Sequence, residues 1–385
     1  MAIYFILLAI IIIGQLCVSW KALSKRIYCI IVCVCMTLIS GLRDVNVGMW
    51  DTVSVYLPSF RIINQTSIDS LLKMTETQYK FIGFDLFSKL IGMISKNEQF
   101  YIFMMAWPFF VAVCILIYKY SDIPAYSFLA LLAFGYFTYS FSMIRGMLSL
   151  AAIAIAFDAA IEEKWKKFII WIIVGTSFHI TALLFLIVYF IKRIRWNARR
   201  IGIIFAVLII AQRVFPTVWQ WFVQRFISNW LVTYNYYATK GGVLADALLF
   251  VYVFTVLIAI LKLIVSEQAR IGGIHKLSFK IKIHRSKKKK AILTEDSTFN
   301  LYIGMSVFAA VIVFLTLVLS EMIRVAMILG LGCVLLAGRR LRGCSKRNRQ
   351  LIQICELSQA LIYIVYFLFA ALPNMHAVPY KYFWQ

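Results

Sequence analysis

Residues 99–118 decide the fold and read QFYIFMMAWPFFVAVCILIY. The run carries no charged side chain, and an α-helix of this length spans about 30 Å, the thickness of a bilayer's hydrocarbon core. Similar runs recur along the 385 residues, 63% of which are hydrophobic, and the mean hydropathy is +0.86. A soluble core of this size cannot bury so much apolar surface. The sequence therefore predicts an all-α, polytopic transmembrane bundle of roughly ten to twelve spans.

The apolar runs are separated by short segments, several of which are rich in Lys and Arg. Spans are predicted near residues 2–18, 27–41, 99–118, 123–139, 143–161, 201–215, 243–264, 299–319, 322–337 and 351–372. Basic residues concentrate in residues 21–26, 164–167, 192–200, 270–290 and 339–349. Since Lys and Arg favour the cytoplasmic face, these loops are predicted to be cytoplasmic. This placement explains the net charge of +24, and no nucleic-acid partner is expected.

The apolar run at residues 168–191 has basic residues at both ends. A single crossing would place residues 192–200 outside, against the charge bias. A re-entrant hairpin of two half-helices, turning near His179, would keep both ends inside. Broken helices at membrane depth line protein or water-filled cavities, so the hairpin would put His179 at a polar site. The charge pattern leaves the hairpin and a tilted single span both open.

The sequence predicts one transmembrane domain over residues 1–385 with three prominent connections. Residues 42–98 form the first outer, periplasmic loop, and residues 265–298 form a basic cytoplasmic loop. Residues 216–242 form an aromatic outer loop, which we interpret as an interfacial segment. Aromatic faces also stack on sugars, which is the alternative interpretation of that loop.

Arg43, Arg145 and Arg324 are all predicted on the outer side, against the usual charge bias. Each alone has an ordinary explanation, such as snorkelling or a helical ion pair between Glu321 and Arg324. Together they favour a functional site. A guanidinium offers a planar fork of donors matched to phosphate oxygens, so a lipid diphosphate is the expected ligand. A neutral His179 nearby could accept a proton from a sugar hydroxyl.

Other catalytic patterns are missing from the sequence. We find no clustered Asp and His metal ligands, no Gly-rich phosphate loop and no recognisable Ser/His/Asp triad. The expected chemistry is therefore glycosyl transfer without a metal or cofactor, in which the arginines stabilise charge on a departing diphosphate.

The order of these residues resembles the EpsG-like branch of the Wzy polysaccharide polymerases. The matching residues are Arg43, Val47, Gly48, Asp51, Thr52 and Tyr56; Ile144 and Arg145 opening an Ala-rich helix; Phe178 and His179; Arg324; and Val378, Pro379 and Tyr380. The sequence departs from the family in an extra residue between Gly48 and Asp51 and in Gly146, where Gln is usual. The family's acidic residue before Gly-Phe is replaced by Lys80, with Glu76 and Asp85 on either side.

This resemblance implies an O-antigen or related surface-polysaccharide polymerase in the bacterial inner membrane, with its active site facing the periplasm. Donor and acceptor would be oligosaccharide repeat units on undecaprenyl diphosphate, among membrane lipids, with a chain-length regulator protein as a further partner. The residues implied to be catalytic are His179, Arg145 and Arg324. The residues implied to bind substrate are Arg43, Asp51, Tyr56, Glu321, His376 and Tyr380.

Three alternatives remain open at this point. A flippase or other transporter of lipid-linked oligosaccharide also needs cations and many spans. It would need a pathway to both faces, whereas the predicted cations share one face and no internal repeat is evident. An O-antigen ligase would share the donor site and differ in its acceptor. In a structural scaffold the outer arginines would be incidental.

Overall fold

The computed structural model describes residues 1–77, 81–226, 243–277, 285–315, 322–341 and 344–385, and these are predominantly helical. They form two compact units. The first combines Met1–Ile187 with Tyr363–Gln385, and the second is Val188–Ile362. The single membrane domain predicted from the sequence therefore contains two units, the first assembled from two separate stretches of chain.

The first unit is a helical bundle, and the helix at its centre is the one that contains Arg145 near its start. Its helices are α1 (Ala2–Ser19), α2 (Lys25–Gly41), α3 (Leu57–Gln65), α4 (Ile68–Thr77), α5 (Ile82–Ile94), α6 (Glu98–Tyr120), α7 (Pro124–Ala133), α8 (Tyr136–Tyr139), α9 (Ile144–Ile161) and α10 (Trp165–Phe178). Helix α9 packs against α6 and α10 and is buried along most of its length. Its many alanines let the neighbouring helices approach closely, as is common between membrane helices.

Six of the described helices are long and apolar enough to cross a bilayer. They are Ala2–Ser19, Glu98–Tyr120, Ile144–Ile161, Asp246–Ser266, Ser297–Leu315 and Lys346–Asn374. The other predicted spans form shorter helices or less apolar ones, so the count of ten to twelve is not confirmed. The span predicted at residues 123–139, for example, is interrupted at Gly135, whose φ of +82° is a left-handed conformation suited to glycine.

The chain breaks and reverses at His179. Helix α10 ends at Phe178, His179 is extended with φ −158° and ψ 128°, and a 3₁₀ helix follows over Ile180–Ile187. The ring centroids of Phe168 and Phe185 lie 6.0 Å apart. A straight helix would separate these two residues by about 25 Å. The polypeptide therefore folds as a hairpin here. That both ends of this hairpin lie on the same face of a membrane stays a prediction.

Within the predicted loop 42–98, the described residues form a helical layer made of a π-helical turn, Thr52–Tyr56, and helices α3, α4 and α5. The Lys89 ammonium on α5 donates to the carbonyls of Ile63, Asn64 and Thr66 at 3.1, 3.0 and 2.7 Å. These bonds satisfy carbonyls that the end of α3 leaves unpaired. Helices α3 and α5 are thereby held together as one layer.

The last described residues, 375–385, form a strap that pairs with residues 42–48. The Gly48 amide donates to the His376 carbonyl at 3.0 Å, and the Asp44 amide donates to the Lys381 carbonyl at 2.9 Å. Gly48 has a φ of +113°, and a Cβ there would lie 2.8 Å from Phe141 Cβ, so only glycine fits. The strap fixes the segment that leads from α2 into the helical layer.

The second unit is held together partly by buried polar pairs. Its helices are α11 (Val188–Ile191), α12 (Ala198–Phe226), α13 (Val243–Leu277), α14 (Arg285–Leu315), α15 (Met322–Ala337) and α16 (Lys346–Tyr366), whose end, from Tyr363, belongs to the first unit. Lys262 on α13 pairs with Glu356 on α16 at 2.8 Å, and both side chains are buried. Lys262 also donates to the Arg339 carbonyl at 2.9 Å, just after α15. The buried charges are therefore paired and hydrogen-bonded, as burial requires.

Two of the loops predicted from the sequence are largely helical where they are described. Residues 216–226 continue α12, and the rest of the aromatic loop, 227–242, lies outside the described residues. Within 265–298, residues 265–277 continue α13 and residues 285–298 begin α14. Lys, Arg and Glu are good helix formers, so a charged sequence of this kind extends the helices beyond their apolar portions.

Candidate functional site

A cavity of about 140 Å³ lies beside the start of α9, where the helical layer meets the bundle of the first unit. It is lined by Val55, Tyr56, Ser59, Ile62, Ile63, Phe81, Phe84, Asp85 and Arg145. These residues come from the π-helical turn, α3, the start of α5 and the start of α9. The cavity therefore brings together residues far apart in sequence, including two of the predicted site residues, Tyr56 and Arg145.

The Arg145 guanidinium is surrounded by aromatic rings. Its central carbon lies 5.1 Å from the ring centroid of Phe81 and 5.9 Å from those of Tyr56 and Phe84. The negative ring faces favour the cation, but they offer few hydrogen-bond acceptors. Arg145 Nε is buried and has no hydrogen-bond partner. This arrangement keeps a charged donor at the cavity with bonding capacity left for an anion.

Two serines near Arg145 repeat this pattern. The hydroxyls of Ser142 and Ser149 are buried and lack hydrogen-bond partners, like Arg145 Nε. Arg145 and Ser149 are four positions apart on α9 and therefore share one face of that helix, whereas Ser142 lies in the turn before α9 begins at Ile144. Buried polar atoms without partners are uncommon in folded proteins and call for an explanation such as a bound ligand.

Tyr56 adds a hydroxyl to the cavity wall. Its side chain is buried among the aromatic residues of the helical layer. Burial raises the pKa of Tyr56, and the adjacent Arg145 charge opposes that rise because it stabilises the phenolate. The phenol is therefore protonated at neutral pH and can share a hydrogen bond with a ligand.

His179 contacts the same aromatic ring as Arg145. The imidazole stacks on Phe81 at a centroid distance of 5.4 Å and an interplanar angle of 10°. His179 Nδ1 is 2.7 Å from Thr181 Oγ1, which fixes the ring orientation. His179 is not among the residues that line the cavity. The structure thus brings Arg145 and His179 to one ring, while the catalytic role of each stays a prediction.

The position of Phe81 depends on a close approach between α5 and α10. A Cβ on Gly83 would lie 2.2 Å from Ser177 Oγ and 3.0 Å from the Ser177 carbonyl carbon, so no larger residue fits without movement. Gly83 is two residues after Phe81, and Ser177 is two residues before His179. This contact holds the beginning of α5 against the break in the chain.

Asp85 is a cavity residue that sequence reasoning did not select. Its side chain is 6% exposed and lines the cavity with Arg145. Helix α5 buries Phe84, Asp85, Ser88 and Ile91, which share one face at helical spacing. A carboxylate on the buried face of an amphipathic helix was the sequence signal that could have identified it.

Arg43 is 1% exposed and is enclosed by acceptors from its own surroundings. Its Nε donates to the Val47 carbonyl at 3.2 Å, and its Nη2 donates to the Phe141 carbonyl at 2.6 Å and to Thr52 Oγ1 at 3.3 Å. Burial lowers the pKa of Arg43 to about 10, so it remains charged at neutral pH. In this conformation Arg43 ties the π-helical turn to the segment before α9, and its predicted contact with substrate stays a prediction.

Three other predicted substrate-binding residues of the first unit lie outside the cavity wall. Asp51 directly precedes the π-helical turn. His376 is exposed in the strap. The Tyr380 hydroxyl, also in the strap, donates to the Ile39 carbonyl at 2.9 Å. The structure brings His376 and Tyr380 to the strap that supports residues 42–48, and their roles toward a substrate stay predictions.

The remaining predicted residues belong to the second part of the sequence. Arg324 is the third residue of α15, in the second unit, and is half-buried. Glu321 lies outside the described residues. A role for Arg324 beside Arg145 therefore stays a prediction. Within the described residues, no group of three or more His, Cys, Asp or Glu side chains is placed to hold a metal ion.

Comparison with known proteins agrees with the resemblance seen in the sequence. The family model described as the EpsG family matches residues 26–382. No curated protein and no solved structure matches the chain. The family match covers nearly the whole sequence and supports a polysaccharide polymerase-like membrane protein. The chain therefore belongs to the EpsG family.

Proposed function

We propose that this protein is a glycosyltransferase that polymerises lipid-linked oligosaccharide repeat units at the outer face of the bacterial inner membrane. The observation that carries the proposal is Arg145, a cation with a buried, unbonded Nε at the wall of a cavity. The donor would be a glycan on undecaprenyl diphosphate, and the acceptor would be the terminal sugar of a second lipid-linked unit. Family membership supports the same class of activity.

A diphosphate suits the Arg145 environment for physical reasons. Leaving a charged donor buried without an acceptor costs free energy, on the order of 1–3 kcal/mol or more. A phosphate oxygen would satisfy Nε and gain a charge-assisted hydrogen bond. The aromatic rings exclude water around the guanidinium, which strengthens its interaction with an anion. The same interaction would grow as charge builds on the departing diphosphate, which is the requirement for catalysis.

The proposed transfer needs a base as well as the cation. The acceptor hydroxyl oxygen forms a bond to the anomeric carbon, and the bond between that carbon and the diphosphate oxygen breaks. The hydroxyl proton passes to a protein base, and the electron pair of the broken bond leaves with the lipid diphosphate. Asp85, which lines the cavity, and His179, which stacks on Phe81, are the two candidates for the base.

The experiment is a comparison of Arg145→Ala and Arg145→Lys with Arg61→Ala as the matched control. Arg61 lies in the same helical layer but is exposed and pairs with Glu98, a solvent-screened surface contact that contributes little. We expect Arg145→Ala to lower polymer formation by about 10²–10³-fold, in the range found on removing one transition-state donor. Arg145→Lys should restore little, because it keeps the charge but loses the planar fork. Arg61→Ala should be near wild type.

The readouts are surface-polysaccharide gels from a complemented deletion strain and transfer by the purified protein. A polymerase predicts single repeat units at the surface and no longer chains. A strain that displays no units at all, with lipid-linked units trapped inside, would indicate a flippase. Loss of transfer to the final acceptor with long lipid-linked chains still made would indicate a ligase. Normal chain ladders from Arg145→Ala at normal protein level would refute the proposal.

A further inference from the structure

A second and larger cavity lies along α9, on the side between α6 and α10, with a volume of about 580 Å³. This groove is lined by Phe87, Trp107, Pro108, Val111, Ala112, Ile115, Leu116, Lys119, Leu148, Ala151, Ala152, Ala154, Ile155, Asp158, Lys167, Trp171, Val174 and Phe178. The volume lies within the range of about 300–1,000 Å³ that is typical of small-ligand sites. Three of the six residues that α9 contributes are alanines, whose short side chains form the floor, and larger residues of α6 and α10 form the walls.

The upper end of the groove adjoins the Arg145 cavity. Leu148 is one helical turn after Arg145, a rise of about 4.5 Å. Leu148 belongs to the same buried cluster as Tyr56 and Phe84, which line the Arg145 cavity, and Phe178 packs against that cluster. The charged cavity and the apolar groove therefore follow one another along α9.

The lower end of the groove is closed by charge. Lys119 pairs with Asp158 at 2.7 Å, and Lys167 lies 3.6 Å from the same carboxylate. Tyr120 also donates to Asp158, at 2.8 Å. Between Leu148 and Asp158 the helix rises about 15 Å, half the thickness of a hydrocarbon core. An apolar chain could occupy this length and would have to leave sideways before the charged end.

The groove is open to lipid along α6. Its wall residues Trp107, Val111 and Ile115 are 37%, 36% and 52% exposed, whereas the alanine floor is buried. A chain can thus enter laterally from the bilayer while its headgroup stays at the outer end. The ligand class that matches both ends is an apolar chain bearing a phosphate-type headgroup.

We propose that this groove binds the first isoprene units of the polyprenyl chain whose diphosphate lies at Arg145. The inference rests on the proposed function and adds to it a binding site for the lipid carrier. A methyl-branched chain suits the groove because the alanine floor leaves room for branches and the Trp107 and Trp171 rings supply broad apolar walls. Chain binding would hold the diphosphate in register with Arg145 and make the protein selective for long carriers.

The experiment compares two neighbouring positions on α10. Val174→Trp places bulk in the groove, because Val174 lines it and is half-buried. Ile173→Trp is the matched control: Ile173 is 63% exposed and is not part of the groove. Ala112→Phe, on the α6 wall, is a second groove variant. Each full-length protein is assayed in lipid nanodiscs with the same glycan on a long polyprenyl diphosphate and on methyl diphosphate, which carries no isoprene unit to occupy the groove.

We expect the groove variants to lower kcat/KM for the long-chain donor about tenfold or more, the effect of losing contact with two or so methylene groups. Their kcat/KM for the methyl diphosphate donor should stay within about twofold of wild type, and Ile173→Trp should leave both donors unaffected. Equal losses with both donors, or equal effects of Ile173→Trp and Val174→Trp, would overturn the groove assignment. Folding is checked by the activity with the methyl diphosphate donor.

A binding measurement separates this inference from the proposed function. A photoreactive long-chain polyprenyl diphosphate should label groove residues in wild-type protein and not in Val174→Trp. If wild-type protein transfers sugar from neither donor but shows this labelling, the proposed function fails and the groove stands. If excess polyprenyl diphosphate fails to displace a photoreactive phospholipid from the groove, its occupant is an ordinary membrane lipid and the inference is wrong.

Discussion

Gly83→Ala is the substitution that examines most directly how the site is held together. The added methyl group would lie 2.2 Å from Ser177 Oγ, 2.9 Å from Ser177 Cβ and 3.0 Å from the Ser177 carbonyl carbon. Ordinary contacts of a Cβ begin at 3.4 Å. The start of α5 must therefore retreat from α10 by roughly an ångström, since backbone atoms are among those it meets.

This retreat separates groups that the site needs together. Phe81, two residues before Gly83, contacts His179 at 5.4 Å and Arg145 at 5.1 Å between centres. A displacement of about 1 Å at a catalytic centre can lower the rate about 10²-fold. Overpacking costs about 1–3 kcal/mol of stability, and replacing a helical glycine returns at most about 1 kcal/mol. We therefore expect a large loss of activity with a small loss of stability.

The assay is single-turnover transfer by purified protein, with thermal unfolding followed in parallel. Gly202→Ala is the control, because Gly202 is helical and has nothing within 4 Å of the added methyl group. Adding Ser177→Gly to Gly83→Ala removes two of the three close contacts and should restore part of the activity. Wild-type activity in Gly83→Ala, or no recovery in the double variant, would refute this account of the site.

Two further predictions concern buried charges. Asp85→Asn should lower kcat about 10²-fold or more with little change in KM, if the cavity carboxylate is the base. The same result from His179→Gln alone would transfer that role to His179. Lys262→Met should destabilise the protein by about 3–5 kcal/mol in thermal or chemical unfolding, because it leaves Glu356 buried without its cation. Adding Glu356→Leu should recover most of that loss, and an equally unstable double variant would show that the pair is not the cause.

The sequence predicted the class of the fold and part of the site. Length and hydropathy are sufficient to identify helices such as α1, α6 and α9, because a segment in an apolar medium must satisfy its own backbone hydrogen bonds. The charges that flank the apolar run left a hairpin turning near His179 and a tilted single span as alternatives, and the chain reverses there. Arg145 and Tyr56 were selected by residue type and position, and they share one cavity wall.

The rest depended on tertiary contacts that no local pattern encodes. Arg43 looked like a ligand-binding arginine, but its acceptors are carbonyls from Val47 and Phe141, and the second of these is distant in sequence. Asp85 looked like one acidic residue among several in the predicted loop 42–98, because no helix had been placed within that loop to show which face carries Asp85. The fit of Gly83 against Ser177 requires α5 and α10 to be placed before it can be recognised.

The first unit is assembled from two separate stretches, Met1–Ile187 and Tyr363–Gln385, so it cannot be completed until the end of the chain has been synthesised. During translation, residues 42–48 emerge early, but the strap that pairs with them emerges only after the whole of Val188–Ile362. At a ribosome speed of about 5–20 residues per second, the wait is on the order of fifteen to sixty-five seconds. Throughout that interval the Tyr4 hydroxyl lacks the Ala377 carbonyl to which it donates at 2.6 Å. Nascent chains therefore expose the unpaired segment at residues 42–48, which is where a membrane chaperone or protease would recognise them.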